Sequence, residues 1–566
     1  MSLPLRQLTR IRPPHGPCSL SLARSLIQTR SLATEAHNSS LDSVRPYKTR
    51  STPELLNSLF VFQLCAMPKI VEASPTILEW AEKLKLTGPV YAVIKQTFFR
   101  HFCGGEDLAE VVPTMENFKS LKIGSILDLA LEADVDAASL SGPAAQEQAR
   151  KVAGMFKESI DIASKTPGSF IALKVTALVP PLILQRWSNT LVLLQKAFRE
   201  ADQNGDGRLN LEEFLELSAT FPQLKGDKAR ALFTATDRDK DGFVDWMDVT
   251  DTFSLYNSSA SRSLVRSPIE PVTPDNQLIS ADDLDTTDLV IPDIDIVAQH
   301  ARDLRVRILV DAEQTYFQPA IDDVGLNLCK KFNPPHHGPN EAGRRGPVLY
   351  NTYQLYLKDG YERLVLDVER AERNGYSFGV KIVRGAYMHA ERERAEELGL
   401  PDPIQPTIEA THAAYNKAID FLVNKISGFQ SPDSNITVEG NIRPLSFVVA
   451  SHNQNSVEHA CRQMNQVNVP AGEGSVAFAQ LMGMQDGTTF SLASGGYKVF
   501  KYIPYGPIGV TIPYLQRRAL ENSDVLAGGG GIVQDRKAIL SELKHRLGVG
   551  RNAGGGFTGP LRSKVV

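Results

Sequence analysis

Arg517 and Arg518 stand side by side in the segment KYIPYGPIGVTIPYLQRRALEN, residues Lys501–Asn522. Two adjacent guanidiniums repel each other unless an anion lies between them. The planar fork of arginine fits a carboxylate or phosphate in bidentate fashion. On a helix, residues three or four apart share a face, so Tyr514, Arg517 or Arg518, and Glu521 can reach one pocket. The chemistry these types and spacings offer is capture of an anionic group beside an aromatic wall.

The elements that must position this clamp follow from the apolar runs. Eight β-rich runs stand out at Ile123–Ala130, Phe170–Leu178, Arg307–Glu313, Val348–Gln354, Gly379–Tyr387, Leu445–Asn453, Ser475–Met482 and Tyr497–Tyr505. Most are near-continuously apolar, as strands covered on both faces are. Amphipathic stretches such as Ala145–Ser164 and Leu355–Arg373 separate most of them. This alternation predicts the α/β class and a (β/α)8 TIM-like barrel, whose chemistry sits at the C-terminal strand ends. The polar residues of the runs fall at that end: Glu132, Lys174, Asp311 with Glu313, Gln354, Lys381 to Arg384, Ser451 to Asn453, and Tyr502.

Six motifs then appear in order: LVDAEQTYFQP (309–319), NTYQLYLKD (351–359), GVKIVRGAY (379–387), SHNQNS (451–456), AQLMGM (479–484) and the arginine segment itself. Together they closely resemble the proline dehydrogenase (proline oxidase) family, from about Lys122 to Leu547 with an interruption near 190–285. The resemblance implies an FAD-dependent barrel enzyme that oxidises L-proline to Δ1-pyrroline-5-carboxylate. It implies that Arg517 and Arg518 bind the substrate carboxylate, with Lys174 on the same site and Glu132 ion-paired to the first arginine. Asp311 matches an aspartate near flavin and substrate, and Tyr387, Leu481, Tyr502 and Tyr514 match the walls around the proline ring. Gln354, Lys381, Val383, Gly385, Ala386, His452 and Glu521 match FAD contacts, Lys381 by the flavin N5 edge where many bacterial relatives carry arginine. The family's pyrophosphate contacts are poorly matched by Pro403–Thr411. GVGRNAG at Gly548–Gly554 looks like a dinucleotide loop, but no strand precedes it and no helical pattern follows.

The interruption carries a different chemistry. Asp202, Asn204, Asp206, Gly207, Arg208 and Glu213 fit an EF-hand calcium loop at every position, with oxygen ligands at 1, 3, 5 and 12 and glycine at 6. Asp237, Asp239, Asp241, Gly242, Phe243 and Asp248 repeat the pattern, ending on the shorter aspartate. Arg208 and Phe243 stand at position 7, where the backbone carbonyl is the ligand. An inserted α-helical EF-hand pair binding Ca²⁺ is expected, with the second loop the weaker.

Composition is ordinary for a chain of 566 residues: 42% hydrophobic, 22% charged and a formal net charge of −4. Dispersed basic residues argue against a nucleic-acid partner, and five cysteines without a CxxC argue against a disulfide framework or zinc site. Residues 1–34 hold five arginines and no acid before Glu35, the composition of a mitochondrial presequence. The expected organisation is presequence 1–34, N-terminal helical arm 35–119, barrel 120–190, EF-hand pair 191–255, linker 256–286, barrel 287–547 and flexible tail 548–566. No apolar run is long enough to span a bilayer, so any membrane association is expected to be peripheral. The resemblance further implies a quinone acceptor and the matrix face of the mitochondrial inner membrane. Two other readings stand beside this one: hydroxyproline dehydrogenase on the same scaffold, which Tyr502 argues against by filling the space for a ring hydroxyl, and a non-catalytic calcium-binding scaffold.

Overall fold

The apolar runs form strands β1 (Gly124–Leu129), β2 (Phe170–Leu173), β5 (Arg307–Val310), β6 (Leu349–Gln354), β7 (Phe378–Val383), β8 (Leu445–Ala450), β9 (Val476–Leu481) and β10 (Lys498–Tyr505). In the computed structural model, which describes residues 47–48, 50–131, 139–267, 273, 275–335, 346–429, 443–527 and 531–548, they close into one parallel barrel in chain order. β10 returns to pair with β1, and Leu127 faces Ile171 of β2 on one side and Ile503 of β10 on the other. The expected (β/α)8 barrel is therefore present. Glu132, the presequence at 1–34 and the tail beyond Gly548 lie outside the described residues.

Inside the barrel, Ile126, Phe170, Leu309, Tyr350, Val448 and Phe500 form a separate apolar cluster. Phe170 meets Tyr350 and Phe500 edge-on at centroid distances of 5.4 and 5.0 Å. Side chains thus fill the interior, as in other barrels of this size. The opposite strand faces pack on the helix layer in the main core.

Three details differ from the sequence expectation. First, β2, β5, β7 and β8 stop several residues early, so Lys174, Asp311, Arg384 and Ser451 sit just past the strands while Lys381 stays within β7. Second, the helix after β10, Ile508–Ala527, packs with the N-terminal helices through Val61, Phe99, Phe102, Tyr514 and Leu515. Its usual place outside β10 and β1 is taken by Leu108–Ser120, capped by Asp107 and contacting both strands. Third, the helix Pro181–Ala201 runs unbroken through the boundary expected at 190/191, and part of the 256–286 stretch is helical, including the start of Ala281–Asp303.

The insert consists of two helix–loop–helix units. Helices Pro181–Ala201 and Leu211–Ala219 flank one loop, and Asp227–Thr236 and Trp246–Thr252 flank the other. A two-residue antiparallel ladder, β3 (Arg208–Leu209) with β4 (Val244–Asp245), joins the loops. Gly207 and Gly242 turn at φ +80° and +87°, a left-handed conformation in which a side chain would be strained. Phe198 on Trp246 and Phe214 on Phe233 tie the helices together.

Candidate active site

Asp311 is the hub of the C-terminal strand ends. Its backbone N–H donates to the Leu173 carbonyl at 3.0 Å, adding one rung beyond β5 and fixing where the side chain starts. Lys381, buried within β7, donates from Nζ to Asp311 Oδ1 at 2.5 Å. The Tyr502 hydroxyl on β10 donates to Asp311 Oδ2 at 2.7 Å, and its ring lies 5.5 Å from the Lys381 ammonium. Burial, then Asp128 and Asp311, push the Tyr502 phenol well above its ordinary pKa, so it remains a donor.

Lys174, just past β2, donates to Asp128 Oδ1 of β1 at 2.8 Å and to the Leu129 carbonyl at 3.4 Å. Burial pulls this ammonium down, but Asp128, Asp311 and Glu313 outweigh it and raise its pKa. Glu313 accepts from the Thr176 hydroxyl on both oxygens at 2.9 Å. Burial pushes its carboxyl up to about 7, against the lowering by Thr176 and Lys174.

The Ile508–Ala527 helix brings the arginine pair over these strand ends. Arg518 is buried, donates to Glu521 Oε1 at 2.5 Å and lies 5.1 Å from the Tyr514 ring centroid. Its charge reaches His452 past β8, and that of Arg517 reaches Tyr387 past β7. Burial, then Lys501 and Arg518, hold His452 down at about 3, so it is neutral and its Nε2 accepts the Leu481 N–H at 3.0 Å. Burial raises the phenols of Tyr387, to about 12, and Tyr514. Leu481 packs at the edge of the cluster that holds Tyr514.

Three buried polar atoms here have no hydrogen-bond partner: Arg518 Nε, Tyr514 Oη and Gln354 Oε1. Native interiors rarely leave such atoms unsatisfied, and the first two lie on the helix that carries the arginine pair, which suits a bound polar ligand. Gln354, whose Nε2 donates to the Glu313 carbonyl at 3.1 Å, joins Lys381 and His452 on the β6–β8 side of the mouth. Val383 ends β7, with Gly385 and Ala386 exposed beyond it. A cavity of about 790 Å³ lies elsewhere, where Trp246 and Asp251 of the insert face Asp322 and Arg370 of the barrel. It holds none of the strand-end groups just described.

Of the expected site residues, the structure unites Asp311, Lys381 and Tyr502 by direct bonds, and Arg518 with Glu521. Asp128 was missed; a lone carboxylate inside the apolar run SILDLAL was the signal for it. Also missed was the buried chain of Arg50, Asp486 and Lys501, in which Asp486 takes both cations at 2.6 and 2.7 Å. Arg50 is too remote in sequence from Asp486 and β10 to have been linked to them by pattern.

Comparison with known proteins decides what this arrangement is. The pattern of the family "Proline dehydrogenase" matches residues 111–527. The chain belongs to that family. It is an oxidoreductase that acts on proline. It is 32% identical over 564 residues to human "Proline dehydrogenase 1, mitochondrial", with 89% of each chain covered. It is 30% identical to "Hydroxyproline dehydrogenase" of Bos taurus, covering 88% of this chain and 92% of that one. A crystal structure of proline utilization A (PutA) from Bdellovibrio bacteriovorus, inactivated by N-propargylglycine, matches 86% of this chain at 17% identity and a TM-score of 0.47. The match spans only 38% of that longer protein.

Proposed function

We propose that this proline dehydrogenase binds L-proline beneath the Ile508–Ala527 helix and oxidises it to Δ1-pyrroline-5-carboxylate with FAD. The observation that carries this reading is the buried Arg518, its Nε without a hydrogen-bond partner, on the helix whose Tyr514 acts on Tyr502 of the Asp311–Lys381–Tyr502 cluster. Arg517 and Arg518 hold the substrate carboxylate, and Glu521 keeps the Arg518 fork oriented. Tyr387, Leu481, Tyr502 and Tyr514 enclose the ring and exclude water. Lys174 and Asp128 fix the charge pattern at the adjoining strand ends, and Glu132 is proposed to pair with Arg517.

The residues on the β6–β8 side suit a flavin: Gln354 offers an unused buried acceptor, Lys381 a buried cation, and neutral His452 leaves no second charge there. Val383, Gly385, Ala386 and Glu521 complete the proposed FAD contacts. Bound FAD supplies the two-electron acceptor. Holding amine, ring and carboxylate in one orientation is the chain's own contribution to rate.

Several finer proposals go with this one. Electrons pass on to a quinone, which calls for peripheral association with the matrix face of the mitochondrial inner membrane. Support comes from the arginine-rich first 34 residues and from relatives named mitochondrial. No helix among the described residues is long and apolar enough to cross a membrane. The insert is proposed to bind Ca²⁺ at Asp202, Asn204, Asp206, Arg208 and Glu213, and at Asp237, Asp239, Asp241, Phe243 and Asp248. The ladder between the loops and the left-handed glycines support this. The decisive test is turnover: the purified yellow protein should oxidise proline in preference to trans-4-hydroxyproline with a quinone analogue. Preference for hydroxyproline would transfer the chain to the other activity, and colourless protein without turnover would leave a scaffold.

A further inference from the structure

The second loop of the insert is exposed along residues 238–243, but its closing end, with Asp248 buried, lies against the barrel. Arg373, near the C-terminal end of the barrel helix Gly360–Asn374, reaches into it. Its Nη1 donates to Asp245 Oδ2 at 2.7 Å, and its Nη2 to Asp248 Oδ1 at 2.8 Å and Asp239 Oδ2 at 3.3 Å. These three aspartates are positions 9, 12 and 3 of the loop. One guanidinium therefore occupies carboxylates that a bound calcium ion would need, including the closing ligand Asp248.

The rest of the loop holds further acidic groups, of which Asp241 at position 5 accepts from Arg208 of the first loop at 3.2 Å. Carboxylate oxygens of Asp237, Asp239 and Asp241 lie within 4.8 Å of one another. The Asp237 carboxylate at position 1 accepts the Gly242 N–H through Oδ2 at 3.1 Å. Its other oxygen, Oδ1, is buried with no hydrogen-bond partner. An anionic oxygen buried in that state calls for a cation.

The first loop differs. Asp202, Asp206 and Glu213 make no ion pair among the described residues. Asp202 instead accepts the N–H groups of Gly205, Asp206 and Gly207, and Glu213 accepts that of Asn210. The two loops carry the same motif but different neighbours.

We infer that Arg373 is the resident cation at positions 3, 9 and 12 of the second loop, and that calcium enters this loop only by displacing the arginine that clasps the insert to the barrel. This rests on the proposal that the insert takes calcium. Without calcium the clasp is closed. With calcium at Asp239 and Asp248 the guanidinium keeps only Asp245, and the insert is held by Arg370 and Lys330 on Asp251. Calcium binding and docking of this loop then oppose each other, and by linkage each weakens the other by the same factor.

The test is calorimetric calcium titration of the full-length, flavin-loaded protein after chelator stripping. A Glu213→Gln background silences the first loop. Arg373→Met should tighten the second loop at least tenfold, and adding Asp248→Asn should abolish the gain. Arg373→Lys keeps the charge but not a fork that bridges three carboxylates, so it should fall between the two. Arg238→Met removes an equal charge from beside Asp251, which is not a ligand; it should change affinity less than threefold. Hydrogen exchange should show calcium loosening residues 370–374 in the parent and not in Arg373→Met. An Arg373→Met affinity equal to the parent's, or matched by Arg238→Met, overturns the inference, as does a second loop that binds no calcium in either protein. The first loop, titrated with Glu213 intact, tests separately whether the insert takes calcium at all.

Discussion

Asp311 accepts from Lys381 and Tyr502 on its two oxygens, so a change at Tyr502 alters both a wall and a charge. Tyr502→Phe keeps the wall and removes one hydrogen bond to a charged group, a loss of about 1.5–3 kcal/mol. Proline kcat/KM should fall roughly tenfold to a hundredfold with the proline-to-hydroxyproline ratio unchanged. Tyr502→Ser also opens space beside the ring, so that ratio should move toward trans-4-hydroxyproline; a static ratio in steady-state assays would put the wall elsewhere. Arg517→Met tests the clamp. Loss of a buried charge-assisted contact should reduce proline kcat/KM by about 2–5 kcal/mol while flavin absorbance is retained. Glu313 gives a pH signature. Its folded pKa of about 7 lies above the ordinary 4.5 because of burial, so the folded state holds the proton more tightly. The associated stability is fully present below about pH 4.5 and is lost as pH rises through about 7, by up to about 3 kcal/mol. Thermal unfolding at pH 5 and pH 8 should show a smaller fall for Glu313→Gln than for the parent. At this scale the sequence announced charges at strand ends but not their pairings. Lys174 was visible, whereas its partner Asp128 lay inside a run whose apolar neighbours hid it.

At the scale of elements, the strands were legible because burial on both faces leaves continuous apolar runs. Their ends were less so: a residue such as Val175 is as apolar in its 3-10 turn as in a strand. The crossing of the Ile508–Ala527 helix over the mouth was not legible, because its amphipathic pattern is the same against a barrel wall or against Phe99 and Phe102. What anchors that region is charge. Burial pushes Asp486 up, but Arg50 and Lys501 outweigh it and hold it at about 2. Arg50 precedes the helix Thr52–Cys65 of the N-terminal arm and Lys501 lies within β10, so one carboxylate ties the arm to the barrel. Asp486→Asn would leave two buried cations facing a neutral amide. Breaking a buried pair in this way costs about 3–5 kcal/mol. A fall in the unfolding midpoint is expected, together with a raised KM for proline as the arm loosens its hold on the Tyr514–Arg518 helix. A midpoint within a degree of the parent's would show that the arm is held by its apolar contacts instead.

Over the whole molecule, the insert and the barrel are joined by more than a tether. The helix Pro181–Ala201 begins seven residues after Lys174 and ends in the first loop, so the lobe grows directly from a strand end of the site. Trp187 on this helix is buried and donates to Asp323 of the barrel helix Gln318–Phe332 at 2.9 Å. On the far side Arg370, almost fully buried, donates to Asp251 Oδ1 at 2.6 Å and to the Thr250 hydroxyl at 2.8 Å, and pairs with Asp367. Asp367 in turn accepts the Tyr353 hydroxyl of β6 at 2.8 Å, one residue before Gln354. Burial pushes Asp367 up to about 6 even with Arg370 beside it. Arg370→Met would leave Asp367 and Asp251 short of their shared cation, a loss of about 3–5 kcal/mol at the seam between the two bodies. A cost confined to that seam should lower the lobe's stability more than the barrel's. Calorimetric unfolding, expected as one cooperative transition for the parent, should split into two for Arg370→Met, with the earlier one lost when calcium is replaced by chelator. A single transition at the parent's midpoint would mean that Trp187 and the long helix bind the lobe to the barrel without the arginine.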